Sequence, residues 1–173
     1  MITPTGTGCA GSNSTGSVNG TLNDEIDAAG INVALVAHNF AFTQSSSGTP
    51  CVQQVTANGG LDINDLAATR RFSPSFADLR VTLLITGEQL MQATIDGPLN
   101  TDCVGNAQFQ TLTPLQFPSR SECPSAGQLA VTREGNTNGR ITFMSNGIGF
   151  DFNADGVIDA TVASCEDAMQ CPG

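Results

Sequence analysis

Residues 79–95 read Leu-Arg-Val-Thr-Leu-Leu-Ile-Thr-Gly-Glu-Gln-Leu-Met-Gln-Ala-Thr-Ile. The first eight residues are rich in β-branched and apolar side chains, which is typical of a strand. Gly87-Glu88 predicts a tight turn, and residues 89–95 then return as a second strand. This stretch therefore predicts an antiparallel hairpin and sets the expectation of an all-β fold for the chain around it.

Toward the C-terminus the same pattern continues as a β-meander. Strands are predicted over residues 128–133, 140–144, 148–152 and 157–163. The dipeptide Asn146-Gly147 predicts a hairpin turn of type I′ between two of them. The last two predicted strands flank an acidic turn.

Toward the N-terminus the composition changes. Residues 1–20 are almost entirely Gly, Ser, Thr and Asn, which predicts a flexible tether. Thr21-Leu-Asn-Asp24 resembles a capping box, and Gly30 is a candidate helix end, so a short helix is predicted over residues 22–29. Alternating apolar residues in 31–43 predict a strand with a bulge near His38.

We expect residues 21–173 to form one disulfide-stapled domain of mostly antiparallel β-structure, a sandwich or a meander-rich barrel. A short strand is predicted over residues 51–56, whereas residues 64–76 show no clear pattern. Residues 97–127 are predicted to be a long connection that a disulfide, or a short strand near 112–117, should organise.

Charge limits the classes of partner. The 173 residues carry a net charge of −10, and no lysine occurs. An acidic chain is repelled by phosphate backbones and by anionic lipid surfaces. We therefore expect no nucleic-acid partner. No apolar run is long enough to predict membrane insertion.

The six cysteines are Cys9, Cys51, Cys103, Cys123, Cys165 and Cys171. Their even number, the absence of a Cys-x-x-Cys pair and the polar loops around them predict three disulfides formed in an oxidising compartment. The expected pairs are Cys9–Cys51, Cys103–Cys123 and Cys165–Cys171, with Cys123–Cys165 as the main rival. The spacing alone does not choose among the 15 pairings that six cysteines allow. An extracellular or cell-surface protein of this kind is expected to carry its export signal before this sequence.

The motif with metal chemistry in it is Asp151-Phe-Asn153-Ala-Asp155-Gly156-Val157-Ile-Asp159. Calcium takes six to eight oxygen ligands, and alternate side chains of a curled loop can supply them. Asp151, Asn153, Asp155 and Asp159 are the candidate side-chain ligands, and Val157 would add its carbonyl oxygen. Position twelve is Val162 and not Glu, so the loop is not an EF-hand.

This motif resembles the calcium loops of integrin-type propeller blades, the FG-GAP kind, which lie in β-hairpins. The resemblance covers nine residues and occurs once, so it implies a calcium loop and no propeller. The stretch from Pro114-Leu115 through Cys123-Pro124-Ser-Ala-Gly127 to the loop is also similar to the C-terminal unit of uncharacterised secreted bacterial β proteins. That resemblance implies that the protein is secreted, and it implies no particular activity.

The other interpretation of the loop is a metal-free turn, because Asp, Asn and Gly are ordinary turn residues. Electrostatics favours calcium: five of the 16 acidic residues lie in 151–167, and no basic residue lies there. Calcium is the predicted cofactor.

No catalytic set is evident. His38 is the one histidine, and the sequence contains no Gly-x-Ser-x-Gly elbow. We therefore expect a non-enzymatic extracellular or cell-surface structural or adhesion domain, a candidate subunit of a surface assembly. Its expected partners are further copies of itself, as an oligomer or polymer, or another cell-surface protein. The alternative is a secreted hydrolase or a calcium-dependent glycan-binding module whose carboxylates converge in space.

Overall fold

The computed structural model describes residues 9–22, 33–65, 70–86, 89–101, 105–118, 123–133 and 137–165. Eleven strands account for most of them, and no helical element lies in these ranges. The strands are β1 Cys9–Leu22, β2 Val33–Gly48, β3 Cys51–Asp65, β4 Arg70–Phe72, β5 Ser75–Thr86, β6 Gln89–Thr101, β7 Gly105–Gln116, β8 Ala126–Arg133, β9 Thr137–Met144, β10 Gly147–Asp151 and β11 Ala160–Val162.

The strands form one antiparallel sheet. Its order is β1-β2-β3-β5-β6-β7-β8-β9-β10-β11, and the short β4 pairs with β3 beside this path. The prediction of mostly antiparallel β-structure is confirmed. The prediction of a sandwich or barrel is wrong for the described residues, because β1 and β11 are separate edges of an open sheet and no second sheet faces it.

The N-terminal predictions need correction. Most of the predicted tether is β1, whose residues pair with β2 from Cys9, opposite Gly48, to Leu22, opposite Leu35. The partner strand supplies the hydrogen bonds that the polar composition of β1 does not suggest. Leu22, the first residue of the predicted helix, therefore lies in a strand. The rest of that helix, and residues 1–8 of the tether, lie outside the described residues.

The middle of the chain is more regular than its sequence indicates. The predicted hairpin of 79–95 is present and longer than expected, as β5 and β6. The predicted long connection of 97–127 instead contains the end of β6, all of β7 and the start of β8. Gln, Asn, Pro and Thr interrupt the alternation of apolar and polar residues in this stretch. The sequence pattern therefore did not indicate the strands.

The hairpin between β9 and β10 also differs in detail. Met144 pairs directly with Gly147, so the two-residue turn is Ser145-Asn146. A type I′ turn needs a positive φ at both turn residues. Neither has one; the positive φ, 144°, falls on Gly147. The hairpin prediction is confirmed and its turn type is wrong.

The core lies on one face of the sheet. Leu83 stands opposite Ala93, and Ala93 stands opposite Leu115 on the next strand. Ala93, Leu115 and Leu129 are buried together, and the half-buried residues packed against them are Leu83, Ile95, Phe109, Phe117, Ile141 and Phe143. Burial of these apolar side chains is the main favourable term in folding.

The opposite face is polar. Thr82 stands opposite Thr94, and Gln128 stands opposite Thr142, to which its Nε2 donates a 3.4 Å hydrogen bond. An antiparallel sheet with one apolar and one solvated face commonly shows this alternation.

A row of bulges crosses the first half of the sheet. The register shifts at His38/Ala41, at Ala57/Gly59, at Phe76/Arg80 and at Ala93/Gly97. A residue with positive φ lies at each shift: Asn39 at 50°, Gly59 at 96°, Asp78 at 56° and Gly97 at 129°. Because a bulge bends its strand and increases the local twist, this row bends the sheet. The predicted bulge near His38 is confirmed.

Candidate functional site

The predicted calcium loop connects β10 to β11. Ile148 to Phe150 pair with Val162 to Ala160, and the Asp159 N–H donates a 2.8 Å hydrogen bond to the Phe150 carbonyl oxygen. The loop is therefore closed at its base by two strands, as the hairpin type predicted from the sequence requires.

Asp151 is the centre of the loop. Its residue is 4% exposed, and its Oδ2 accepts a 2.8 Å hydrogen bond from the Gly156 N–H. Its Oδ1 accepts a 3.2 Å hydrogen bond from the Asp155 N–H. Positive φ at Ala154, 57°, and at Gly156, 92°, marks where the chain reverses. A Cβ on Gly156 would meet nothing within 4 Å, so glycine is favoured there by backbone conformation and not by space.

The other predicted ligands bond within the loop as well. Asn153 Oδ1 accepts from the Asp155 N–H at 3.1 Å, and Asn153 Nδ2 donates to Asp155 Oδ2 at 3.0 Å. Asp155 Oδ1 accepts from the Val157 N–H at 2.8 Å. Asp159 Oδ2 accepts from the Phe152 N–H at 2.8 Å. Each carboxylate of the loop is thus held by a backbone N–H.

These contacts define how far the loop fits a metal. The described residues hold no group of three or more His, Cys, Asp or Glu side chains placed to share one ion. The loop carboxylates accept from separate backbone N–H groups, so an ion would have to share their oxygens with these hydrogen bonds. Asp151 is already aimed into the loop, and each of its oxygens has a second lone pair.

One residue near the loop was not anticipated from the sequence. Arg140 pairs with Asp151 in the β9–β10 register, although it lies eleven positions earlier. Its Nε atom is buried and has no hydrogen-bond partner. No basic residue lies in 151–167, but the β9–β10 register places the Arg140 cation on the strand beside Asp151, so calcium is less needed to offset the acidic charge of the loop. The hairpin turn could have predicted this neighbour from the sequence. Once Met144 pairs with Gly147, the register of β9 and β10 is fixed and Arg140 falls opposite Asp151.

The loop also carries exposed apolar side chains. Phe152, Val157 and Ile158 are 59%, 63% and 42% exposed. The Phe152 ring stacks on Phe150 with centroids 6.3 Å apart. Ile158 lies over Gly149, where an added Cβ would come within 2.7 Å of its Cδ1 atom. The loop is therefore packed against β10 on one side and open to solvent on the other.

The disulfides are partly as predicted. Cys123 is bonded to Cys165, with Cα atoms 5.7 Å apart, so the expected pairs Cys103–Cys123 and Cys165–Cys171 are wrong and their rival is confirmed. The meander brings the chain back beside Cys123, a proximity that sequence spacing does not show. Cys51 is also disulfide-bonded. Its predicted pairing with Cys9 stays a prediction, and Cys103 and Cys171 lie outside the described residues.

His38 has a local partner. Its Nε2 atom lies 3.0 Å from Asp62 Oδ2 on the adjacent strand, and its side chain is 56% exposed. A histidine that pairs with a carboxylate on an open sheet surface resembles a satisfied polar residue.

An open depression of about 410 Å³ lies at the ends of β5 to β8. Phe76, Pro98 and Leu99 form its apolar part, and Asn106 and Arg133 are among its polar residues. Its described lining contains no Asp or Glu, so it brings together no carboxylate pair of the kind that glycosidases use.

Comparison with known proteins gives no further assignment. The chain matches no protein-family model, and neither the curated proteins nor the solved structures contain a match to it. In the described part of the chain, no helix has the length and apolar character needed to cross a membrane.

Proposed function

We propose that this chain is a non-enzymatic structural or adhesion domain, located outside the cell or on its surface. The observation that carries the proposal is the single meander, in which nearly every described residue belongs to one continuous sheet. Most of the described residues lie in these strands, so the described part of the chain consists chiefly of the faces and edges of one sheet. A module of this kind serves as a scaffold through its faces and edges.

The disulfide between Cys123 and Cys165 supports the proposed compartment, because such bonds persist in oxidising environments. It spans 42 positions and encloses β8 to β11 together with the acidic loop. In the chain-entropy model, closing a loop of this length contributes about 4 kcal/mol to the free energy of unfolding. The cross-link therefore strengthens the C-terminal end of the sheet.

We also propose that calcium binds the loop of Asp151 to Asp159 and stabilises the last strands. The buried Asp151 carboxylate supports this, because an ion in the loop would offset the cost of burying that charge. Asn153, Asp155, Asp159 and the Val157 carbonyl are the remaining proposed ligands. The hydrogen bonds of the Asn153, Asp155 and Asp159 side chains compete with the ion, so the site is proposed as a weak one, of the extracellular class.

The proposed compartment is tested in cells that produce the chain naturally. An antibody against the folded domain should detect it in the medium or on intact cells, with the Cys123–Cys165 bond formed before lysis. Thiol blocking at lysis and peptide mapping read the bond directly. A reduced chain confined to the cytosol would overturn the proposal, and a cytosolic marker protein serves as the control for leakage.

A further inference from the structure

We infer that β1 is an interaction edge that pairs with β1 of a second copy of this chain, in antiparallel register. The inference deepens the proposed structural role by naming the partner and the surface.

The length and chemistry of β1 make it an unprotected edge. It has 14 residues, contains neither a charged residue nor a proline, and pairs on one side with β2. In the described residues no strand pairs with its other side. Residues 11–15 and Ser17 are exposed. Natural edge strands that avoid pairing are short, carry Lys, Pro or other charges, or are broken by bulges. β1 is long and has no charge and no proline, and its register irregularities leave the segment from Ser12 to Val18 regular.

The opposite edge of the sheet is protected. β11 has three residues and follows directly after the acidic loop. An incoming strand would gain few hydrogen bonds there and would meet Asp159. Head-to-tail pairing of β1 with β11 would therefore be short, whereas pairing of β1 with its own copy uses the whole exposed strand.

Charge points the same way. The chain carries a net charge of −10, so two copies repel each other over most of their surface. β1 has no charged residue, and His38 is the single titratable residue of β2. The β1 side of the sheet is thus where two copies approach with the least repulsion.

The register indicates how the two copies would meet. Irregularities lie between Cys9 and Ser12 and between Val18 and Gly20, and the pairing between them is regular. The regular segment runs from Ser12 to Val18, and its midpoint is Thr15. A two-fold axis is the simplest closed arrangement for identical edges, and it would pass beside Thr15.

The apolar face of the sheet reaches this edge. Phe42 lies over Gly16 of β1, where an added Cβ would come within 2.6 Å of the ring. Phe40 lies 6.3 Å from Phe42 and 6.0 Å from Phe76, between ring centroids. Pairing two β1 strands would bring two such aromatic groups toward one junction, so apolar burial would add to the new backbone hydrogen bonds.

The test places charge on the edge. Purified, oxidised full-length chain should form a dimer in sedimentation equilibrium. The double variant Asn13→Lys, Thr15→Lys should weaken it at least tenfold, which corresponds to about 1.4 kcal/mol. The control variant Gln54→Lys, Gln110→Lys adds the same charge at exposed positions of β3 and β7. Gln54 lies in the row of Asn13, because both pair with Ser45.

Hydrogen exchange locates the contact. Among residues 11–17, the amides that point away from β2 should become more protected as the wild-type concentration rises, and this protection should be absent in the edge variant. A monomer at every concentration, or a dimer that the edge variant forms as well as the control, would overturn the inference. A calcium-dependent melting shift measured on the same edge variant keeps the two questions apart, because it tests the loop and not the edge.

Discussion

Asp151 accepts a hydrogen bond of 2.8 Å from the N–H of Gly156, five residues later, across the reversal of the acidic loop. The Asp155 N–H donates a hydrogen bond to the other oxygen of the same carboxylate. The loop is therefore organised around one buried acidic side chain.

Replacing Asp151 with Ala should lower the free energy of unfolding by about 2 kcal/mol or more, because it leaves two backbone N–H groups without their acceptors. Asp159→Ala is the matched control, since Asp159 is exposed and accepts one such bond. Urea unfolding measures both variants. Equal losses in the free energy of unfolding of the two variants would contradict the conclusion that the loop is organised around Asp151.

Calcium should raise the melting temperature of the wild-type domain relative to chelator. The gain in stability would be about 2.7 kcal/mol when free calcium exceeds the dissociation constant a hundredfold. Asp155→Ala should lose most of this shift, and magnesium should reproduce little of it. If calcium leaves the wild-type melting temperature unchanged, the loop is a turn held by its own hydrogen bonds and the calcium proposal fails.

Gly59→Ala should destabilise the domain by about 2 kcal/mol or more. Gly59 has a φ of 96°, and an added Cβ would overlap the Asn39 carbonyl oxygen on β2. Gly60→Ala is the control on the next position, where the nearest atoms lie 3.7 Å away. Thermal unfolding should therefore separate the two variants clearly, and similar losses would mean that the bulge row tolerates side chains.

The double variant Cys123→Ala, Cys165→Ala should lose about 4 kcal/mol in the chain-entropy model. Peptide mapping of the wild type without reduction should recover the Cys123–Cys165 pair. Mapping that finds Cys103–Cys123 instead would contradict the structure. A stability loss with a raised m-value would show that the cross-link acts on the unfolded chain, because the chain without it exposes more surface on unfolding.

The sequence predicted the parts of this fold whose strands alternate apolar residues. The hairpin of 79–95 and the C-terminal meander were found because each strand buries one face. β1 was missed because its Ser, Thr, Asn and Gly residues carry no such alternation; the strand exists through its pairing with β2. Whether a meander closes into a barrel depends on strand twist and bulges, and composition does not report them.

For the candidate site, the sequence located the loop and the strands that flank it. It did not reveal that backbone N–H groups of the loop donate hydrogen bonds to the carboxylates, since this depends on positive φ at Ala154 and Gly156. Nor did it show Arg140 beside Asp151, because that neighbour depends on the exact hairpin register. The Cys123–Cys165 pairing depends on the same return of the chain.

The strand order has a consequence for how the molecule comes into being. Along the main path, each strand pairs with its neighbours in sequence, and the single step that skips a strand passes over the short β4. Pairing of this kind needs few distant encounters, so ordering can proceed one hairpin at a time. If the chain is threaded N-terminus first through a narrow pore, each strand of the main path after β1 finds its partner already in place. Cys165 would meet Cys123 once β11 had paired with β10, and the covalent bond would then close the C-terminal strands of a sheet that had assembled in the order of its synthesis.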